Sequence, residues 1–88
     1  MVITILEAVV ERDRIGELEN AYRRETGAIP PEIVETFLAR DAGDETKFRI
    51  ITIWRDRQAL ESMRASVEKP KGVQIFEEAG AAPTLTIL

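Results

Sequence analysis

Two strand-forming stretches of this 88-residue chain are apolar on both faces, and that feature limits the architectures open to it. The first, residues 2–10, puts Val2, Leu6, Ala8 and Val10 on one side of a strand and Ile3, Ile5 and Val9 on the other. The second, residues 48–55, sets Phe48, Ile50 and Trp54 against Ile51 and Ile53. Side chains alternate along a strand, so a sheet covered on one side only should alternate apolar and polar residues. Here both sides need cover.

The remaining segments supply cover for one side. Asp13 is an expected helix cap, followed by Ile15, Leu18, Ala21, Tyr22 and Glu25 at spacings of three and four. Gly27 sits where a left-handed helix end favours glycine, and Pro30-Pro31 forbid continuation. Residues 33–40 read as a second strand, joined by the turn-rich Asp41–Glu45 to the third. Asp56 is placed to cap a second helix with Ala59, Leu60, Met63 and Val67 on its apolar face. Pro70 and Gly72 interrupt that helix; a further short one carries Val73, Ile75, Phe76 and Ala79 and ends at Gly80. Residues 84–88 read as a last strand.

The order is βαββαβ. Right-handed crossovers convert it into an α+β, ferredoxin-like fold: one domain over residues 1–88, a four-stranded antiparallel sheet with the helices on one face. The cheapest cover for the other face is a second copy packed sheet against sheet, since a two-fold contact reuses one patch. An obligate or near-obligate homodimer is the expectation.

Composition narrows the chemistry. The chain has no cysteine and no histidine. Thiol nucleophiles, disulfides, thiolate metal sites, the serine–histidine–acid triad and the usual haem ligand are therefore excluded. A metal would need oxygen ligands alone, and Asp41, Gly43, Asp44 and Glu45 lack the spacing of a calcium loop; a solvated hairpin turn is the better reading. Net charge is −4, and the arginines alternate with acids, as in Arg12-Asp13-Arg14, so nucleic acid is not an expected partner. No apolar run reaches membrane-spanning length. The opening VITILEAVV lacks a basic leader and cleavage site and reads as structure, which makes a soluble, cytoplasmic protein the expectation.

Residues 47–66, KFRIITIWRDRQALESMRAS, resemble the strand–tryptophan–helix segment of the antibiotic-biosynthesis-monooxygenase-like proteins of the dimeric α/β-barrel superfamily. Trp54, Ala59 and Leu60 carry the likeness. It implies two sheets forming a barrel between subunits, with a pocket between sheet and helices in each. Some such relatives oxygenate polycyclic phenols without metal or flavin; others degrade haem. The haem-degrading branch uses an asparagine on strand one, a tryptophan in the second helix and a histidine near its end. Those positions here hold Leu6 or Glu7, Met63 and Val73, so the likeness does not extend to haem degradation. The implied activity is cofactor-independent oxygenation of an aromatic or quinol-type molecule. The alternative is a non-catalytic dimeric module that holds a small ligand or serves as a structural partner.

Seven side chains are candidates for such a site. Glu7, a carboxylate in an apolar strand, reads as a base for a phenolic substrate, as an ion-pair partner of a strand arginine such as Arg49, or as a residue simply exposed at a strand end. Trp54 reads as a stacking surface or as core, and Tyr22 as a hydroxyl for a substrate oxygen or as packing with a polar tip. Met63 and Phe76 read as walls of a pocket or as plain core. Arg40 and Arg49 read as holders of an anionic group or as solvated strand ends.

Overall fold

The computed structural model describes residues 1–88. Strand β1 spans Val2–Val9, helix α1 Ile15–Glu25, β2 Ile33–Arg40, β3 Lys47–Trp54, α2 Arg57–Ser66, α3 Lys71–Glu78 and β4 Thr84–Ile87. All strand pairs are antiparallel and the order is β2-β3-β1-β4, the ferredoxin-like arrangement. Its two central strands are the two that are apolar on both faces. The short helix expected after Pro70 is α3, which makes the helices three.

Helix ends follow local chemistry, with two departures from expectation. Asp56 caps α2 as its position suggests, accepting from the Ala59 N–H at 2.7 Å. Gly80 has φ of 76° and closes α3, with the Gly80 N–H donating to the Glu77 carbonyl and the Ala81 N–H to that of Phe76. The Arg14 guanidinium lies over Gly80, where a side chain would collide with it, and donates to the Glu78 carbonyl at 3.0 Å. Asp13, by contrast, caps nothing. It falls inside a 3-10 turn, Arg12–Arg14, that leads directly into α1, whose N-cap position is Arg14. Gly27 is not left-handed either, because Thr26 ends α1 first, with its N–H and hydroxyl both donating to the Tyr22 carbonyl.

The Asp41–Glu45 segment is a turn. Asp41 accepts from the Gly43 N–H and Asp44 from the Thr46 N–H and hydroxyl, so both carboxylates serve the turn's own backbone. In β2, Ile33 lies opposite Trp54 and Glu35 opposite Ile53, which leaves Val34 as the extra residue of a β-bulge.

One sheet face meets the helices. Val2, Thr4, Leu6 and Ala8 of β1 and Phe48, Ile50, Thr52 and Trp54 of β3 are all buried there. They divide into two apolar clusters. Eleven residues, including Leu6, Ala8, Phe48 and Ile50, pack under Leu18 and Ala21 of α1 and Ile75 and Phe76 of α3. Val2, Trp54 and Leu60 form the second, with Ile33, Met63 and Ile87 against it. The opposite sheet face carries Ile3, Ile5, Glu7 and Val9 of β1, paired in register with Ile53, Ile51, Arg49 and Lys47 of β3.

Candidate functional site

Between the two clusters the helices part from the sheet and leave a cleft of about 770 Å³. That volume lies within the range of small-molecule sites. Its floor is the inner sheet face; its walls are the end of α1 with the segment that follows it, and the α2–α3 pair. Gly72, in the first turn of α3, lets that helix sit against Leu6, since a β-carbon there would lie 2.5 Å from the leucine Cδ1.

Three threonines cross the floor in one row, one from each of three neighbouring strands. Thr36 lies opposite Thr52 in the β2–β3 ladder, and Thr52 opposite Thr4 in the β3–β1 ladder. Thr4 and Thr52 are buried. At one end the Tyr22 hydroxyl donates to Thr36 Oγ1 at 3.4 Å, and the Thr36 and Thr52 hydroxyls are 3.4 Å apart. At the other the Trp54 indole N–H donates to Thr4 Oγ1 at 2.9 Å. A strip of hydroxyls thus runs between Leu6 and Ile50 on one side and Trp54 and Leu60 on the other.

The residues singled out in the sequence fall in three places. Tyr22, Trp54 and Met63 line the cleft together. Phe76 is completely buried in the larger cluster, beyond the cleft wall. Glu7 lies on the other sheet face, since strand alternation turns it away from Leu6; there Arg49 Nε donates to Glu7 Oε1 at 2.7 Å and Arg49 Nη1 to Asp41 Oδ1 at 3.0 Å. Arg49 is thereby held in an ion-pair triad, and Arg40 sits 5.0 Å from the centre of the Phe48 ring.

Two carboxylates do line the cleft. Glu25, the last residue of α1, pairs with Lys71, the first of α3, at 3.1 Å, and also with Arg24. Each of Glu25 and Lys71 stands at the unfavourable pole of its own helix, and the pairing offsets both. Lys71, then Arg24, holds the Glu25 carboxyl below the ordinary range. Glu32 is half-buried at the rim and belongs to none of the ion pairs. Neither Glu32 nor the threonine row was singled out in the sequence. The threonines did leave a mark there: the triplet Ile-Thr-Ile occurs at residues 3–5 and again at 51–53.

Residues 1–74, most of the sheet and the cleft, match the antibiotic biosynthesis monooxygenase family. The chain belongs to that family. Membership brings with it a monooxygenase-like role. Solved structures agree on the fold. SnoaB, a cofactor-independent oxygenase from Streptomyces nogalater, superposes with a TM-score of 0.72 at 18% identity, covering 99% of this chain and 89% of its own. A candidate antibiotic biosynthesis monooxygenase from Nitrosomonas europaea gives 0.73 at 20% identity, over 100% and 96%. A conserved protein from Methanosarcina mazei gives 0.76 at 11%, over 99% and 89%. No curated protein sequence matches significantly. No helix is long and apolar enough to cross a membrane.

Proposed function

We propose that the chain is a cofactor-independent monooxygenase-like enzyme that takes a flat aromatic or quinol-type molecule into its helix-side cleft. The observation that carries this reading is the floor, where a hydroxyl row lies between the Trp54–Leu60 wall and the Leu6–Ile50 wall. A fused-ring phenol presents the matching surface, with apolar faces and polar edges. Trp54 and Met63 form the apolar wall and Tyr22 anchors one end of the row. Glu32, free of ion pairs, is the carboxylate placed to accept the phenolic proton. The ionised ring then gives an electron to dioxygen, the ring carbon joins the oxygen, and loss of water leaves the quinone. One oxygen atom ends in the product and the other in water, so no further reductant is needed.

Oxygen uptake with a panel of polycyclic phenols tests this. Uptake with one quinone formed per dioxygen is expected, and Glu32→Gln should lower it about a hundredfold, the lower end of what a general base contributes. Tight binding of the same phenols with no uptake would instead make the protein a ligand-binding module.

The other sheet face supports a second proposal, a homodimer. Ile3, Ile5, Ile51 and Ile53 form an apolar patch beside Phe37, which is 48% exposed. A second copy laid on this patch buries it by two-fold symmetry. Sedimentation at micromolar concentration should give twice the chain mass, and Ile53→Glu should give the single chain. A wild-type monomer would refute the pairing.

A further inference from the structure

The proposed reaction meets an energetic obstacle. An ordinary glutamate titrates near ~4.3 and a simple phenol near ~10, so proton transfer between them is uphill by about six pKa units, tenfold for each. An ordinary carboxylate alone does not ionise such a substrate. Something in the cleft must stabilise the anion.

Counting hydroxyl protons along the floor locates it. Each threonine hydroxyl has one proton to donate and two lone pairs to accept with. Thr4 accepts from the Trp54 indole and donates to no protein group. Tyr22 donates to Thr36, and in the Thr36–Thr52 pair either hydroxyl can be the donor. When Thr36 donates, the proton of Thr52 is also free. In that arrangement two relays, one from Trp54 and one from Tyr22, end in two unused donors. Those donors are directly opposed across the β1–β3 ladder, which sets their β-carbons about 4.5–5.5 Å apart. Each is 8% exposed, and each hydroxyl is polarised by the donor behind it. Two hydroxyl donors on neighbouring strands of a largely buried floor are groups of the kind that stabilises a developing oxyanion.

We propose that Thr4 and Thr52 form a two-donor oxyanion site that holds the ionised phenolic oxygen of the substrate. The site selects phenols whose ring can lie against Trp54 while one hydroxyl reaches the floor. This rests on the monooxygenase-like reading above for its choice of ligand. The proton released goes to Glu32, and no other bond changes at this step.

The test is an absorbance titration of alizarin, a dihydroxyanthraquinone whose colour changes on ionisation, bound to the purified protein. Binding should lower the pKa of the probe by about one to two units, and Thr4→Val and Thr52→Val should each remove about one unit, or tenfold in the ionisation constant. Valine preserves shape and strand preference, and circular dichroism of each variant checks that the fold is retained, because Thr4→Val leaves the Trp54 indole N–H without its acceptor. Thr4→Ser and Thr52→Ser keep the hydroxyl and should keep the shift, which separates loss of a donor from loss of packing. A probe that does not bind, a pKa unmoved on binding, or a shift that survives the double valine variant would overturn the site. Oxygen uptake in the same samples separates this from the wider reading. A lowered pKa without uptake keeps the oxyanion site and discards the oxygenase; uptake with a pKa indifferent to both substitutions does the reverse.

Discussion

At the Ala8–Phe48 end of the sheet, α1 and α3 close over the strands and bury an eleven-residue cluster; at the Val2–Trp54 end, three residues are buried and a cleft remains. The strands are much alike at both ends, so the difference lies in the helices. Where α1 meets α3, Leu18 and Ala21 face Ile75 and Phe76, and nothing polar intervenes. α2 brings Ala59 and Leu60 to burial but presents Ser62, Met63, Arg64 and Ser66 to the cleft. One end spends its contacts on stability. The other leaves surfaces unfilled, which is what a ligand requires.

The sharpest way to break this contrast is Phe76→Ala, which should cost about 3–5 kcal/mol in chemical denaturation, as a fully buried aromatic does. A loss near that of a surface residue would mean the closed end is not where stability resides. Met63→Ala should cost well under the about 2–5 kcal/mol of a buried methionine, since Met63 lines the cleft and is only partly buried. Its effect should appear instead as weaker retention of aromatic ligands in a binding assay.

Glu7→Gln sharpens the comparison from the other sheet face. Steady-state turnover should change less than twofold, because Glu7 is separated from the cleft by the sheet, while melting temperature falls slightly with the loss of the Arg49 pair. Abolished turnover in a folded variant would move the reaction to that face.

The smallest effect expected is on pH. The Gly43 N–H, then Arg49, holds the Asp41 carboxyl below its ordinary value. The unfolded chain therefore binds this proton first, so the stabilisation is complete above the unfolded value of about 3.9 and fades as pH falls through the folded one. Denaturation curves from pH 5 down to 2 should show Asp41→Asn losing less stability than the wild type over that interval.

Periodicity made most of this fold legible. The bounds of β2, the cap at Asp56 and the glycine end of α3 all follow from residue type and spacing. What escaped had several physical causes. Asp13 and Gly27 carry the right chemistry one or two residues from where it is used, since a 3-10 turn and Thr26 act first. The cleft floor escaped because threonine is close to valine in shape and equally at home in strands, so Thr4 and Thr52 read as ordinary strand formers. Glu7 drew notice as a charge among apolar neighbours, yet sequence alone does not say which face the helices take. Phe76 and Met63 look alike on their helix faces, and only the parting of helices from sheet separates core from wall.

The bulge at Val34 has a consequence for chain length. Ile33 and Thr36 are three residues apart, and a regular strand would send them to opposite faces, yet both face the cleft. The extra residue absorbs the mismatch. A chain one residue shorter between Ile33 and Thr36 would therefore keep the same floor, whereas deletion of Phe37 would turn either Thr36 or Leu38 outward. The edge strand carries a slack link at one point, and drift in its length is harmless there and nowhere else along it.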